Sequence, residues 1–212
     1  DIQEQEHNLA GSIAMGAGEY QATEVLAKLI GGFQKQYAAV SFELFTSSSD
    51  LLHDKLDKGL LDVAILQAPV DTTNYDYLRL PIRETWCVLM RSDAPLASKN
   101  AITASDLSGL PIILPARLQA RSEIFNWLSG DITKMRFIGN SNLLANTAVF
   151  VEQCGYYGIS VQMPLLDEKR FTYRPLTPAL HSDILLVWRR DRQQSLALQK
   201  FLQFAKCFLS IE

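Results

Sequence analysis

With 212 residues, 48% of them apolar, the chain can bury a sizeable core, as one large domain or as two lobes of roughly 100 residues each. Its 20 Lys and Arg against 23 Asp and Glu leave a formal net charge of -3, which excludes the clustered basic face that nucleic-acid phosphates demand. No apolar run approaches the roughly 18 residues of a membrane span, and the leading stretch DIQEQEHNLAG is too polar for a secretion signal.

In chain order, GSIAMGA is a short apolar run closed by glycines, as a buried strand should be. Ala22, Val25, Leu26, Leu29, Ile30, Phe33 and Tyr37 recur at spacings of three and four, which lays an apolar stripe along a helix weakened near its end by Gly31-Gly32. VSFELF alternates, with Val40, Phe42 and Leu44 on one side, and is a strand. TSSSD supplies hydroxyl caps for a helix from about Asp50 to Lys58, stopped by Gly59. LLDVAIL is a third strand, and this alternation with short links predicts a parallel sheet with helices on its faces.

The same grammar continues less regularly. TWCVLMR is a strand ended by Ser92 to Pro95, LPIILP a strand bracketed by prolines, SEIFNWL a short helix and KMRFIG a strand. Leu144, Thr147, Ala148 and Val151 space a helix that ends at Gly155. GISVQM, FTYRPL and DILLVWRR are strands, and Leu196, Phe201, Leu202, Ala205, Phe208 and Leu209 make a closing amphipathic helix. Arg189-Arg190-Asp191-Arg192, the densest basic stretch, reads as a solvated strand end.

No catalytic constellation is written in the chain, which predicts that it is not an enzyme, and no cofactor is implied. G-x-S-x-G, S-x-x-K, H-E-x-x-H and the phosphate loop G-x-x-x-x-G-K-[ST] are all missing from the sequence. His7 lies in the polar leader, His53 in the exposed middle of a helix and His181 in a turn; the paired carboxylates Asp50 with Asp54 and Asp167 with Glu168 are solvated charge. Cys87, Cys154 and Cys207 lack C-x-x-C spacing, so neither a zinc site nor a disulfide framework is expected. Cys87 and Cys207 read as core residues, and only Cys154 is placed where a redox switch could reach it. The compartment is therefore a reducing one, the cytoplasm.

The stretch SIAMGAGEYQA resembles the start of a dinucleotide turn, yet Gln21 stands where a third glycine is needed and Thr46-Ser47 where a ribose-binding carboxylate is needed. What remains is a pair of glycines after a parallel strand, letting backbone approach a ligand, beside Ser47-Ser48-Ser49 at the tip of the next strand. Two such strand tips side by side make a cradle for a small anion or polar molecule. Mere capping by the serines stays open as the alternative.

The run from Gly11 to Leu66, with its F-x-x-x-Y helix end, hydroxyl-rich turn and L-x-x-G-x-L-D-x-A-I pattern, resembles the effector-binding region of LysR-type transcriptional regulators. MRSDAPLA, SDLSGLPIILP, VEQCGYYGISVQMP and VWRRDRQQSLALQKFLQF continue the resemblance, which spans about Gly11 to Phe208; alanine in YAAV replaces a usual proline, and the turn at Tyr156-Tyr157 is one residue longer. The resemblance implies an α/β fold of two Rossmann-like lobes joined by two crossover strands, like a type 2 periplasmic binding protein. Lobe I would be 11-84 plus 184-212 and lobe II 85-183, with residues 1-10 the end of a linker from a winged helix-turn-helix domain. It also implies a small acidic or polar effector, held by Gly18, Glu19, Tyr20, Thr46, Ser47, Ser48, Ser49 and Gln67 with Pro115, Ala116, Arg117, Asn140, Ser141 and Val161. Arg117 and Arg121 are the candidates for gripping a carboxylate. The implied partners are a homodimer mate, reached through the helix from Ala22 to Tyr37, with a tetramer as the alternative at full length, and DNA only through the helix-turn-helix domain; no membrane is involved. A periplasmic solute carrier and a short ATP phosphoribosyltransferase share the architecture and stand as alternatives.

Overall fold

Why the apolar periodicities become elements is visible in a computed structural model, which describes residues 9-164 and 166-210. His7 and most of the expected linker tail, residues 1-8, lie outside the described residues. The chain divides into two units: unit 1 holds 9-18, 22-83 and 183-210, and unit 2 holds Glu19–Gln21 and Glu84–Ser182. It is an α/β protein with mixed sheets and flanking helices.

Unit 1 is built on β1 (Gly11–Ala17), β2 (Val40–Thr46), β3 (Val63–Gln67) and the second half of β9 (His181–Arg189), in the order β2-β1-β3-β9. β2 and β3 run parallel to β1, and β9 runs antiparallel to β3. The parallel core is as expected from the strand–helix–strand alternation. On one face, helix α1 (Thr23–Gln36) presents Leu26, Leu29 and Phe33 at helical spacing and buries them. Phe33 meets Phe201 at 5.4 Å and Phe204 at 5.7 Å between ring centres, both edge-on, so the closing helix α5 (Leu196–Leu209) shares this core. Gly31-Gly32 does not end α1; a Cβ at Gly32 would stand 3.1 Å from the Phe204 ring, so helix contact is what the glycine permits. On the other face, Leu52 and Leu56 of α2 (Ser49–Asp57) pack with Leu61, Leu66 and Leu185. Gly59, at φ +69, stops the chain where the sequence placed the stop.

Unit 2 orders its strands β4-β7-β5-β6, with β8 (Phe171–Pro175) on the other side of β4 (Tyr75–Arg91). β5 (Pro111–Pro115) pairs parallel with β6 (Arg136–Ser141) and β7 (Tyr157–Val161). Helices α3 (Leu118–Leu128) and α4 (Leu144–Cys154) complete it, and Gly155 closes α4 in the left-handed conformation at φ 68. Leu144, Ala148 and Val151 of α4 pack with Leu89 and Phe171.

Several expectations are corrected. β4 is 17 residues long and begins at Tyr75, so 75-84 is strand despite Pro81 and its charges. Asp183 explains two of those charges, since Arg83 Nε donates to it at 3.0 Å and Arg79 donates to its other oxygen. Leu44 shares a side with Val40 and Phe42 but is 55% exposed, because β2 is the outer strand of unit 1. Cys207 is exposed, not core. His53 is half-buried and stacks on Tyr75 at 4.9 Å. The Arg189–Arg192 stretch is a solvated strand end as expected, and it is also ion-paired: Arg189 bonds Asp57 at 2.8 Å and Asp191 at 2.7 Å, and Arg190 bonds Asp76 at 3.0 Å.

Candidate functional site

The carboxyl ends of β1, β2 and β3 gather in unit 1. β1 and β2 stay in register from Gly11 opposite Val40 to Ala17 opposite Thr46, so the turns at Gly18 and Ser47 start side by side. The Ser47 N–H donates to the Ala17 carbonyl at 3.2 Å and ties those turns together. Of the three serines, Ser47 and Ser49 are buried. Ser49 Oγ accepts the N–H of buried Gln67 at 3.0 Å, which brings the tip of β3 under the start of α2. Ser48 is the N-cap of α2, in extended conformation, half-buried, and makes no side-chain cap bond. The expectation that the serines cap this helix is therefore corrected: one bonds inward to β3, and the residue at the cap position leaves its hydroxyl directed to neither N2 nor N3. Gly16 is also corrected. It opens no path for a ligand, because a Cβ there would stand 2.8 Å from Leu61 and 2.9 Å from Leu52. It is the seat on which α2 rests.

A second gathering lies in unit 2. Leu114 pairs with Asn140 and Pro115 with Ser141, and the Ala116 N–H donates to the Ser141 carbonyl at 2.9 Å. Pro115, Ala116, Arg117, Asn140 and Ser141 thus share the carboxyl ends of β5 and β6. Arg117 is the N-cap of α3, and Arg121 follows one turn later, its Nε buried without a hydrogen-bond partner among the described residues. Ser141 Oγ donates to the Leu143 carbonyl at 3.0 Å. Val161 is buried at the end of β7 opposite Trp86.

Glu19 and Tyr20 also belong to unit 2, whereas Gly18 belongs to unit 1. The Glu19 carboxylate accepts the N–H groups of Leu144, at 2.5 Å, and Ala145, at 3.3 Å, the first two residues of α4. Gln21 donates to Gln162 at 2.7 Å, and Tyr20 is buried. Gln21, Gln162 and Tyr173 were not among the expected site residues. Tyr173 accepts the Met163 N–H at 3.2 Å, and burial, with a smaller push from Cys87 and Glu19, holds its hydroxyl well above the ordinary range. One sequence signal pointed here: α4 opens on Leu143-Leu144, which offer no side-chain acceptor, so its amides must be met from elsewhere.

Asp57, Tyr75 and Arg189 form a closed group in unit 1. The Tyr75 hydroxyl and then Arg189 hold the Asp57 carboxyl below its usual range, while burial and Asp57 push Tyr75 up to about 12. Burial pushes the Cys87 thiol up to about 11, which keeps it protonated and unreactive near neutral pH. Among the described residues no cluster of three or more His, Cys, Asp or Glu could hold a metal ion.

The model of a family described as LysR substrate binding domain matches residues 6-210. The uncharacterized HTH-type transcriptional regulator YvbU of Bacillus subtilis (strain 168) is 26% identical over 200 residues, which cover 92% of this chain and 67% of that protein. The Hca operon transcriptional activator HcaR of Escherichia coli (strain K12) is 30% identical over 183 residues, 84% of this chain and 61% of that protein. Among solved structures, the effector binding domain of QuiR in complex with shikimate superposes with a TM-score of 0.81 at 16% identity, covering 96% of this chain and 99% of that one. This last likeness is one of fold.

Proposed function

The chain belongs to the LysR substrate binding domain family, and from that premise we propose that it is the effector-sensing part of a DNA-binding transcriptional regulator. Its ligand is a small acidic or polar metabolite. The observation that carries the reading is the turn Thr46–Ser49, set beside Gly18 at the amino end of α2. The Ser48 hydroxyl there makes no cap bond on its own helix, and a helix amino terminus favours an anion or an electron-rich oxygen. In unit 2, Arg117 and Arg121 supply guanidinium groups at the ends of β5 and at α3, suited to a carboxylate. On this reading effector binding selects the regulator's active or inactive disposition. DNA contact belongs to a helix-turn-helix segment outside this sequence, and the working form is a homodimer. The exposed face of α1, the expected dimer helix, carries Glu24, Ala27, Lys28, Gly31 and Lys35; Leu44 and Phe45 on β2 and Val149 and Phe150 on α4 offer the exposed apolar area a partner would cover.

A thermal-shift screen of carboxylates, amino acids and aromatic acids, shikimate included, tests the proposal. A ligand present at a hundred times its Kd raises Tm by about 5–10 °C for a domain of this size. The Ser48→Phe variant, with circular dichroism unchanged, loses that shift. A shift that survives in the variant moves the pocket away from this turn.

A further inference from the structure

Helix α4 begins without any acceptor of its own. Its N-cap is Leu143, no side-chain cap bond is made, and no acidic residue lies in its first turn. The Ser141 hydroxyl that precedes it is turned to the Leu143 carbonyl instead. Yet the first amides of a helix are unpaired donors at the positive end of its dipole, and leaving them unmet in a partly buried place is costly. The carboxylate that meets them is Glu19, which lies 125 residues from Leu144 in the chain and accepts from the Leu144 and Ala145 amides together. Two residues on, Gln21 is fixed to Gln162 at 2.7 Å, so the strap Glu19–Gln21 is held to unit 2 at both ends.

We propose that Glu19 is an internal anionic ligand: a positioning residue whose carboxylate fills the anion seat at the amino end of α4 and keeps external anions out of it. The consequence concerns ligand class and rests on the effector-domain reading. While Glu19 holds these amides, the part of an effector that meets this wall of unit 2 is a hydrogen-bond donor or a cation, because a second carboxylate faces like charge at amides that Glu19 already occupies. An anionic group can use the seat only by displacing Glu19, which unfastens one end of the strap.

Chemical rescue tests the assignment without any effector. Glu19→Ala should lower Tm by about 4–8 °C, in keeping with a lost charge-assisted cap in a domain of this size. Sodium formate, compared with sodium chloride at equal ionic strength, should restore at least half of that loss in Glu19→Ala, and should give neither wild type nor Glu19→Gln a comparable gain. Equal responses of all three proteins overturn the proposal, as does a Glu19→Ala variant as stable as wild type. If the alanine variant does not fold, amide hydrogen exchange decides the matter in Glu19→Gln. The weaker neutral acceptor predicts faster exchange at Leu144 and Ala145 than in wild type, with the rest of α4 unchanged, and unaltered exchange there overturns the assignment. Failure of rescue leaves the ligand screen untouched, and failure of the screen leaves the rescue standing.

Discussion

At the amino end of α2 the chain places Ser47, Ser48 and Ser49, two of them buried and the third lacking a cap bond, whereas at the amino end of α4 it brings in a carboxylate from a distant turn. Both helices follow a strand of a parallel pair, and both pack down onto a glycine of their own sheet: Gly16 of β1 beneath Leu52 of α2, Gly158 of β7 beneath Thr147 of α4. The same local geometry thus serves two ends. In unit 1 the helix terminus carries small hydroxyls, one of them turned inward to β3, and in unit 2 the terminus is met by a carboxylate of the protein. A strand–turn–helix junction alone therefore does not mark a ligand site; what matters is whether another side chain has taken the amides.

The largest effects should come from filling the two seats. A Cβ at Gly16 would meet three atoms between 2.8 and 3.1 Å, two of them leucine methyls and one the Ala64 Cβ on β3, while one at Gly158 would press closely on a single threonine methyl at 2.9 Å. Gly16→Ala is therefore expected to cost about 1–3 kcal/mol in urea unfolding, the usual range for overpacking a filled core, and Gly158→Ala less. Equal costs would break the distinction between the seats.

A smaller effect separates the serines. Ser49→Ala leaves the buried Gln67 N–H without the hydroxyl at 3.0 Å and should cost about 1–2 kcal/mol. Ser48→Ala, at a half-buried cap that makes no side-chain bond, should fall within about 0.5 kcal/mol of wild type. The reverse order would mean that Ser48 serves the fold and is not free to serve a ligand.

Most of the architecture was legible because burial imposes a period on the sequence. Ile13 and Phe42 lie opposite one another in register, and Leu26, Leu29 and Phe33 recur along one helix face, so apolar spacing alone located β1, β2 and α1. Exposure at the margin of a sheet was not legible: nothing in VSFELF says that β2 is outermost and that Leu44 stays 55% exposed. The first half of β4 was hidden by Pro81 and by Arg79 and Arg83, charges that make sense only once Asp183, a hundred residues on, is seen between them. The candidate site divides in the same way. The turn residues of Thr46–Ser49 and Pro115–Arg117 follow strand ends and could be read locally, but which serine turns inward depends on Gln67. Glu19 read as an effector contact because its partners, Leu144 and Ala145, share no local pattern with it.

Amide hydrogen exchange with and without the strongest compound of the acid panel bears most directly on the claim that effector binding is felt at the amino ends of α2 and α3. Slowed exchange should appear together at Ser49 to Leu52, opening α2, and at Leu118 to Arg121, opening α3. Protection confined to one of these helix starts, or absent from both while Tm still rises, would contradict the account.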